Sequence, residues 1–450
     1  METATLVPPL VPLRTVRGLG LPVLRGQEAD VERVLDHPLD PAAAGELRRF
    51  ARCVGVTDEL AHVVRLFGTP PGHTPAGFRV GLQLEADGTV RFDLRRDISY
   101  DADGALRPTG QLFSVDSANP YEIAGVAPLV ANLTCNPSII WDLFLSDPKA
   151  NVGGVFKDRD EVMTEIARIL GPGADMSIEL EDPFDDVERV LDEAEHLREL
   201  VSDYRLVVKV PHTGPVNAAN APQLLAGDGH LDVRYDEPAT GDAFRGHRLA
   251  LLLREHGFRI NFTLMFEPYQ ARLALQARPY FINSFVRHRA FQSQRMAALL
   301  DEHAATGDDA PLVALRTYLL DNDYLSTKDA GLDLAECRRI AERVVAYRRT
   351  REPEGADGLD HARHNLRVLR DANLPDTRLI ICSMEGERNY PDIDRMLTEP
   401  DLADMAHRVV ITAEPGYLAR FTSTNQVVSY QRRFLRAAAK TRDARAARSE

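Results

Sequence analysis

Between residues 112 and 413 the sequence repeats one pattern, in which a short apolar run is followed by a stretch of helical periodicity. Eight runs have the length of buried strands: 112–115, 129–134, 174–180, 206–210, 259–266, 280–285, 378–383 and 408–413. Strands that alternate with helices form parallel sheets, because each helix carries the chain back to the edge where the strand began. The pattern therefore predicts an α/β protein built from eight βα units.

Eight βα units favour a (β/α)8 TIM barrel, a fold that takes about 250 residues. An open, doubly wound sheet is the alternative. Neither of the glycine-rich phosphate loops, GxGxxG or GxxxxGK[ST], follows any of the runs. We therefore do not expect the nucleotide-binding versions of these folds.

The chain before the first run follows a different pattern. Residues 1–108 combine a proline-rich start, helical stretches and a predicted β-hairpin that turns at Asp87 and Gly88. We expect a small α+β extension over 1–108 and the barrel over 109–450.

Two crossovers in the barrel are longer than one βα unit requires. Thr213 and Asn261 are 48 positions apart, about twice what a loop and one helix need. This excess predicts an insertion at about 214–247, which is either a decorated surface loop or a lid over the catalytic face. A second insertion, at about 288–371, has the length of several helices with solvated charged faces.

Composition excludes several classes of partner. The 54 basic and 68 acidic residues leave a net charge of −14, which argues against nucleic acid as a main partner. No apolar stretch approaches the ~18 residues of a membrane span. The four cysteines are widely spaced and form no CxxC pair, so we expect free thiols in a cytoplasmic protein. A homo-oligomer is compatible with the sequence.

Lys209 is the most informative polar residue, because it lies in the apolar run LVVKV. It must extend to solvent, pair with a carboxylate, or stay neutral in an apolar pocket. A neutral amine forms Schiff bases with carbonyl substrates. Asp116, Glu179 and a water oriented by Thr263 could supply the base and the proton relay. These residues predict class I aldolase chemistry, with a structural ion pair as the alternative.

Four segments occur in the order seen in one family. They are NLTCNPSII from residue 132, KVPHT from residue 209, NFTLMFEPYQARLALQA from residue 261 and FINSFVRH from residue 281. With these segments, the chain from about 112 to 420 resembles transaldolases. The resemblance implies a (β/α)8 barrel, cofactor-free catalysis, and transfer of a dihydroxyacetone unit between sugars.

The resemblance also implies roles for individual residues. Lys209 would form the Schiff base, Asp116 would move the hydroxyl proton, and Glu179 and Thr263 would position a water. The substrate-binding residues would be Asn136, Asn261, Asn283, Ser284 and Ser383.

The sequence departs from the family where the substrate phosphate is held. His288 and Glu385 stand in place of two arginines, and a carboxylate repels a phosphate dianion. Arg287 and Arg388 lie close enough to substitute if either loop shifts. We therefore expect an unphosphorylated or differently charged sugar-like substrate, of the kind found in specialised metabolism.

Two other functions stay open on the sequence alone. The first is that of an orthodox transaldolase, and the second is that of a non-catalytic barrel that acts as a binding or scaffold protein. A metal-dependent enzyme is not expected, because His230, Asp232, Asp236 and His247 match no standard ligand spacing.

Three further residues receive structural predictions. The spacing of His361 and His364 puts them on one helix face, where we expect exposed polar side chains. Trp141 is expected in a core or an interface.

Overall fold

The computed structural model describes residues 11–14, 20–39, 41–349, 351–382 and 389–449. Its first part contains two small sheets and three helices. The strands are β1 (Val11–Pro12), β2 (Pro38–Leu39), β3 (Cys53–Val56), β4 (Phe78–Leu84) and β5 (Thr89–Arg96). The helices are α1 (Glu28–Val34), α2 (Pro41–Phe50) and α3 (Asp58–Leu66). β4 and β5 form the predicted hairpin, and β3 pairs with β5.

The following eight strands close into one parallel barrel, as predicted. They are β6 (Leu112–Asp116), β7 (Val130–Thr134), β8 (Asp175–Glu179), β9 (Arg205–Pro211), β10 (Ile260–Thr263), β11 (Phe281–Phe285), β12 (Arg378–Cys382) and β13 (Val409–Ala413). Each strand falls on one of the eight apolar runs, and β13 pairs with β6 to close the ring. The (β/α)8 prediction is confirmed, and the open-sheet alternative is wrong.

Helices connect the barrel strands, and two more follow the last strand. They are α4 (Pro120–Ala124), α5 (Pro137–Ile140), α6 (Arg159–Leu170), α7 (Val187–Leu200), α8 (Thr240–Ala243), α9 (Arg245–Glu255), α10 (Gln270–Gln276), α11 (His288–Thr306), α12 (Ala310–Asp321), α13 (Leu334–Arg348), α14 (Asp360–Asp371), α15 (Asn389–Met396), α16 (Pro415–Arg420) and α17 (Asn425–Ser449). Between β11 and β12 the chain forms the helices α11 to α14, and the bounds of the second insertion stay a prediction.

Alternating side chains fill the barrel in layers. The lower layer is apolar and includes Leu112, Val207, Phe281, Ile380 and Val410, with Ile98 from the N-terminal part packed against it. The layer above it is polar, and its hydrogen bonds link three strands. Asn132 donates to Ser114 at 2.8 Å and accepts from Ser177 at 2.9 Å. Because the interior is filled, any reacting group must lie above these layers, at the carboxyl ends of the strands.

The N-terminal part contacts the opposite end of the barrel. Arg205, the first residue of β9, is buried and bonds Asp175 at 2.9 Å and the Ala76 carbonyl at 2.8 Å. Its guanidinium occupies the space that a Cβ at Gly77 would need. Arg96 adds a second bond to Asp175 at 3.2 Å. The extension therefore covers the amino ends of the strands, away from the predicted site. The domain boundary at 108 stays a prediction.

One of the structural expectations is wrong. His361 is fully buried on α14, where its ring contacts the Phe285 carbonyl at 3.5 Å and Asn365 at 3.0 Å. Burial lowers the pKa of His361 to about 3, so its ring is a neutral core group. Trp141 is 60% exposed, in a single π-helical turn after α5, so it does not pack in the core of this chain, and its place in an interface stays a prediction.

Replacement of Arg205 by leucine should destabilise the fold. The change removes one partner of the buried Asp175, and breaking a buried ion pair in this way costs about 3–5 kcal/mol. Urea unfolding measures the loss. Arg168→Ala is the control, because it removes an exposed ion pair with Glu165 and should leave the unfolding midpoint unchanged. Equal midpoints for Arg205→Leu and the wild type would contradict a connecting role for Arg205.

Candidate active site

Lys209 lies at the centre of the candidate site, on the inner side of β9. The strand register places it beside Glu179 on β8 and Asn261 on β10. Its Nζ is 2.9 Å from the Glu179 carboxylate and donates to the Cys135 carbonyl at 2.9 Å. The lysine side chain is only 8% exposed, and the glutamate is 13% exposed. The structure thus brings two of the predicted catalytic residues into direct contact.

The charge on Lys209 depends on these neighbours. Burial alone would lower its pKa, but the negative charges of Glu179 and Asp116 outweigh burial and raise the pKa above its usual value. Of the three states predicted for this lysine, the structure therefore shows the one in which it pairs with a carboxylate. The amine has to lose its proton before it can act as a nucleophile, and Glu179 is the acceptor within reach.

Asp116 ends β6, across the barrel from the lysine strand. Burial raises the pKa of Asp116 to about 6, and the charge of Lys209 limits the increase. Glu414, directly after β13, also raises this pKa by charge repulsion. A carboxyl group with a pKa near neutrality can both accept and donate a proton during a reaction.

Sequence reasoning missed two participants in this site. The Cys135 carbonyl is a backbone group, and no side-chain pattern marks it. Glu414 had a signal, because it is the first residue after the last apolar run, where polar groups face the site.

Asn261 and Thr263 are buried on β10, on the same side of the strand as each other. Among the residues that the structure describes, no hydrogen bond reaches either side-chain polar atom of Asn261. The Oδ1 of Asn283 on β11 is in the same situation within the described part of the chain. Buried amides without partners are costly, so these groups are suited to bind a polar ligand.

Asn136 and Ser284 have other surroundings. Asn136 follows β7 and caps α5, since its side chain accepts from the Ile139 amide at 2.9 Å. Ser284 is buried and alternates with Asn283 along β11, so it lies on the outward side with Ile282, which packs in the outer core. The substrate-binding roles of these residues stay predictions.

The predicted phosphate region lies after β11. His288 begins α11, with its ring 5.5 Å from the Phe266 ring and its Nε2 3.1 Å from Gln292. Arg287 forms an ion pair with Asp392 on α15, so a phosphate would have to compete with that carboxylate. Ser383, Glu385 and Arg388 lie outside the described residues.

The first insertion lies against the second one. Arg234 bonds Asp329 at 2.7 and 2.9 Å, and His230 bonds Asp323 at 2.7 Å. Asp232 pairs with Lys328 at 2.8 Å. Within the described ranges, no three histidine, cysteine or acidic side chains lie together as a metal site. The described part of the chain also contains no helix that is both long and apolar enough to cross a bilayer.

The Glu179→Gln substitution should lower the pKa of Lys209. The amide removes a charge that stabilises the ammonium, whereas the burial that favours the neutral amine stays. Carbamylation by cyanate, which attacks neutral amines, followed across pH and mapped by peptide mass, measures the shift. Glu181→Gln is the control, because Glu181 is 61% exposed and pairs with Arg159. A midpoint that stays constant or rises in Glu179→Gln contradicts this account.

Comparison with known proteins agrees with this geometry. No curated protein matches the chain. The family described as transaldolase/fructose-6-phosphate aldolase matches residues 113–365, which are more than half of the 450 residues. The matched segment contains Glu179, Lys209 and Thr263, together with the first insertion and most of the second. The chain belongs to the transaldolase/fructose-6-phosphate aldolase family.

Proposed function

We propose that this protein is a Schiff-base enzyme that transfers a dihydroxyacetone-type unit between sugar-like carbonyl compounds. The contact that carries the proposal is the 2.9 Å pair of Lys209 and Glu179, buried at the carboxyl end of the barrel. A non-catalytic scaffold would not need the buried Lys209–Glu179 ion pair or the nearby buried carboxyl group of Asp116, because buried charges cost free energy. We therefore prefer an enzyme to a scaffold.

The first stage forms the imine. Lys209 transfers a proton to Glu179, and the neutral amine adds to the ketose carbonyl carbon. Glu179, now protonated, donates to the oxygen as the carbinolamine loses water, and an iminium remains. Thr263, which is buried on the strand next to Lys209, would hold the departing water.

The second stage breaks and remakes the carbon–carbon bond. Asp116 accepts the proton of the hydroxyl group on the fourth carbon, the bond between the third and fourth carbons breaks, and its electron pair flows into the iminium to form an enamine. The aldehyde product leaves. The enamine then attacks the carbonyl of an acceptor aldehyde, Asp116 returns the proton, and water releases the new ketose from Lys209.

Two departures from the family's arginine positions, His288 and Glu385 in the sequence, support an unphosphorylated donor. His288 occupies one of the two arginine positions, and Arg287 is paired with Asp392. The substrate we propose is a ketose or related polyol carbonyl compound, as in specialised metabolism. The four cysteines are free thiols, which fits the reducing cytoplasm that we propose as its compartment.

Borohydride trapping tests the proposal. Wild-type protein is treated with borohydride and either fructose or fructose 6-phosphate, and the adduct is mapped by peptide mass. We expect an adduct on Lys209 with fructose, no preference for the phosphate, and no adduct in Lys209→Ala. A strong preference for fructose 6-phosphate would instead support an orthodox transaldolase. No adduct with either sugar, or an adduct on another lysine, contradicts the proposal.

The rate of bond cleavage should fall at acid pH with a midpoint near 6. Below that pH Asp116 is protonated and cannot accept the hydroxyl proton, and above it the carboxylate is available. The iminium has the same charge as the lysine it replaces, so the midpoint should persist in the complex. Single-turnover release of aldehyde measures the rate.

Asp116→Asn separates imine formation from cleavage. The amide cannot act as a base, so cleavage should slow by about 10²–10⁴-fold, the usual contribution of a general base. Borohydride should still trap the imine on Lys209 in this variant. Unchanged cleavage in Asp116→Asn would show that another group is the base.

A further inference from the structure

A cavity of about 560 Å³ lies between the two insertions, at the carboxyl end of the barrel but outside its interior. We call it the insertion pocket, and its walls are residues 234–236, the loop 266–270 after β10, and parts of α11 and α13. Its volume lies in the range of small-molecule sites, about 300–1,000 Å³. Lys209, Glu179 and Asp116 are not among its lining residues, so the reaction described above does not use it.

The floor of the insertion pocket is a connected polar network. Glu267 forms ion pairs with Arg348 at 2.6 Å and with Arg289 at 2.9 Å, and both arginines are buried. Gln292 accepts from Arg348 at 3.1 Å and from the Tyr324 hydroxyl at 2.5 Å. Because these groups contact one another, they hold the floor in place before any ligand arrives.

The rim of the pocket, in contrast, has unused groups. Tyr235, Tyr269 and Tyr347 are 42%, 61% and 54% exposed. Among the described residues, Arg343 and Asp236 on the rim make neither an ion pair nor a side-chain hydrogen bond. The rim therefore offers flat aromatic faces, one donor group and one acceptor group of opposite charge.

This combination matches an uncharged ring with several hydroxyl groups. Such a ring accepts hydrogen bonds from Arg343, donates to Asp236 and lays an apolar face on tyrosine. A phosphate or carboxylate ligand would gain from Arg343 but would be repelled by Asp236. The unpaired groups of the rim thus favour a neutral sugar ring over a sugar phosphate.

Aromatic rings connect the pocket with the mouth of the barrel. Phe285 follows the inward alternation of Phe281 along β11, and the Phe266 ring stacks on it with centroids 4.5 Å apart. Phe266 and His288 both line the pocket. β11 lies two strands from the Lys209 strand, a separation of roughly 10 Å at about 4.8 Å per strand.

The geometry points to a substrate with two parts, a ketose that reacts at Lys209 and a second, neutral sugar ring that lies in the insertion pocket. This inference rests on the proposed function, because it assigns the non-reacting end of the same substrate. His288 lies on the path between the two, at the position where the resemblance implies a phosphate-binding arginine. The second ring would replace the phosphate as the group through which the enzyme binds its donor substrate.

Isomaltulose, in which glucose is joined to the sixth carbon of fructose, is the probe. Borohydride trapping at Lys209 is titrated with isomaltulose and with fructose, in wild type and in Tyr347→Ala. We expect isomaltulose to half-saturate at a concentration at least about tenfold below that of fructose, which is about 1.4 kcal/mol of added binding. In Tyr347→Ala that advantage should disappear, whereas the fructose titration should not change.

Two further variants provide a second test and a control. Arg343→Ala should weaken isomaltulose trapping alone, and this exposed residue is outside the chemistry. Tyr430→Ala removes a tyrosine that is 50% exposed on α17, away from the pocket, and should change neither titration. If fructose is trapped at Lys209 but isomaltulose has no advantage, or keeps it in Tyr347→Ala and Arg343→Ala, the inference is overturned while the proposed function stands.

If neither ketose is trapped, the proposed function is contradicted, and sugar binding in the insertion pocket is tested separately. Saturation-transfer NMR with methyl α-D-glucopyranoside then compares the wild type with Tyr347→Ala. A signal in the wild type that Tyr347→Ala loses supports a sugar site in the pocket. Absence of a signal in the wild type, or an equal signal in both proteins, overturns it.

Discussion

The site depends on the burial of a positive charge between two negative ones. Lys209 lies on an inward position of a barrel strand, where an unpaired ammonium would be strongly disfavoured. Glu179 on the adjacent strand offsets that cost through direct contact, and Asp116 does so through charge alone. The same arrangement determines the chemistry, because the protonated lysine lies beside a carboxylate that can accept its proton. Burial raises the pKa of Asp116 to about 6, and the charge of Lys209 limits that increase. Structure and reactivity thus share one electrostatic cause.

The sequence predicted the barrel well because the relevant signal is local. Each apolar run is bounded by polar residues and has the length of one strand, so all eight could be read separately and then counted. The site followed from the same periodicity, since Glu179 and Lys209 each fall on an inward position at a strand end. Their pairing needed the register between β8 and β9, which no local pattern contains.

Burial and charge were harder to predict from the sequence than the strands. His361 and Trp141 were interpreted from residue type and spacing, but their exposure depends on which other helices cover them. His361 contacts the carbonyl of Phe285 at the end of β11, whereas Trp141 lies on a turn where most of its side chain is exposed. The charge of Lys209 is a similar case, because burial and ion pairing shift its pKa in opposite directions. Only the contact distances decide which of the two effects is larger.

The ion pairs beneath the barrel have a consequence for how the chain reaches this fold. Asp97, in the first quarter of the sequence, bonds Arg378 at 2.8 Å, and Arg205 reaches back to the Ala76 carbonyl. Contacts over such separations cannot form until most of the chain is available. During synthesis the N-terminal strands leave the ribosome long before β12 exists. The amino end of the barrel is therefore among the last parts to close, and until then the apolar layer behind Ile98 is open to water.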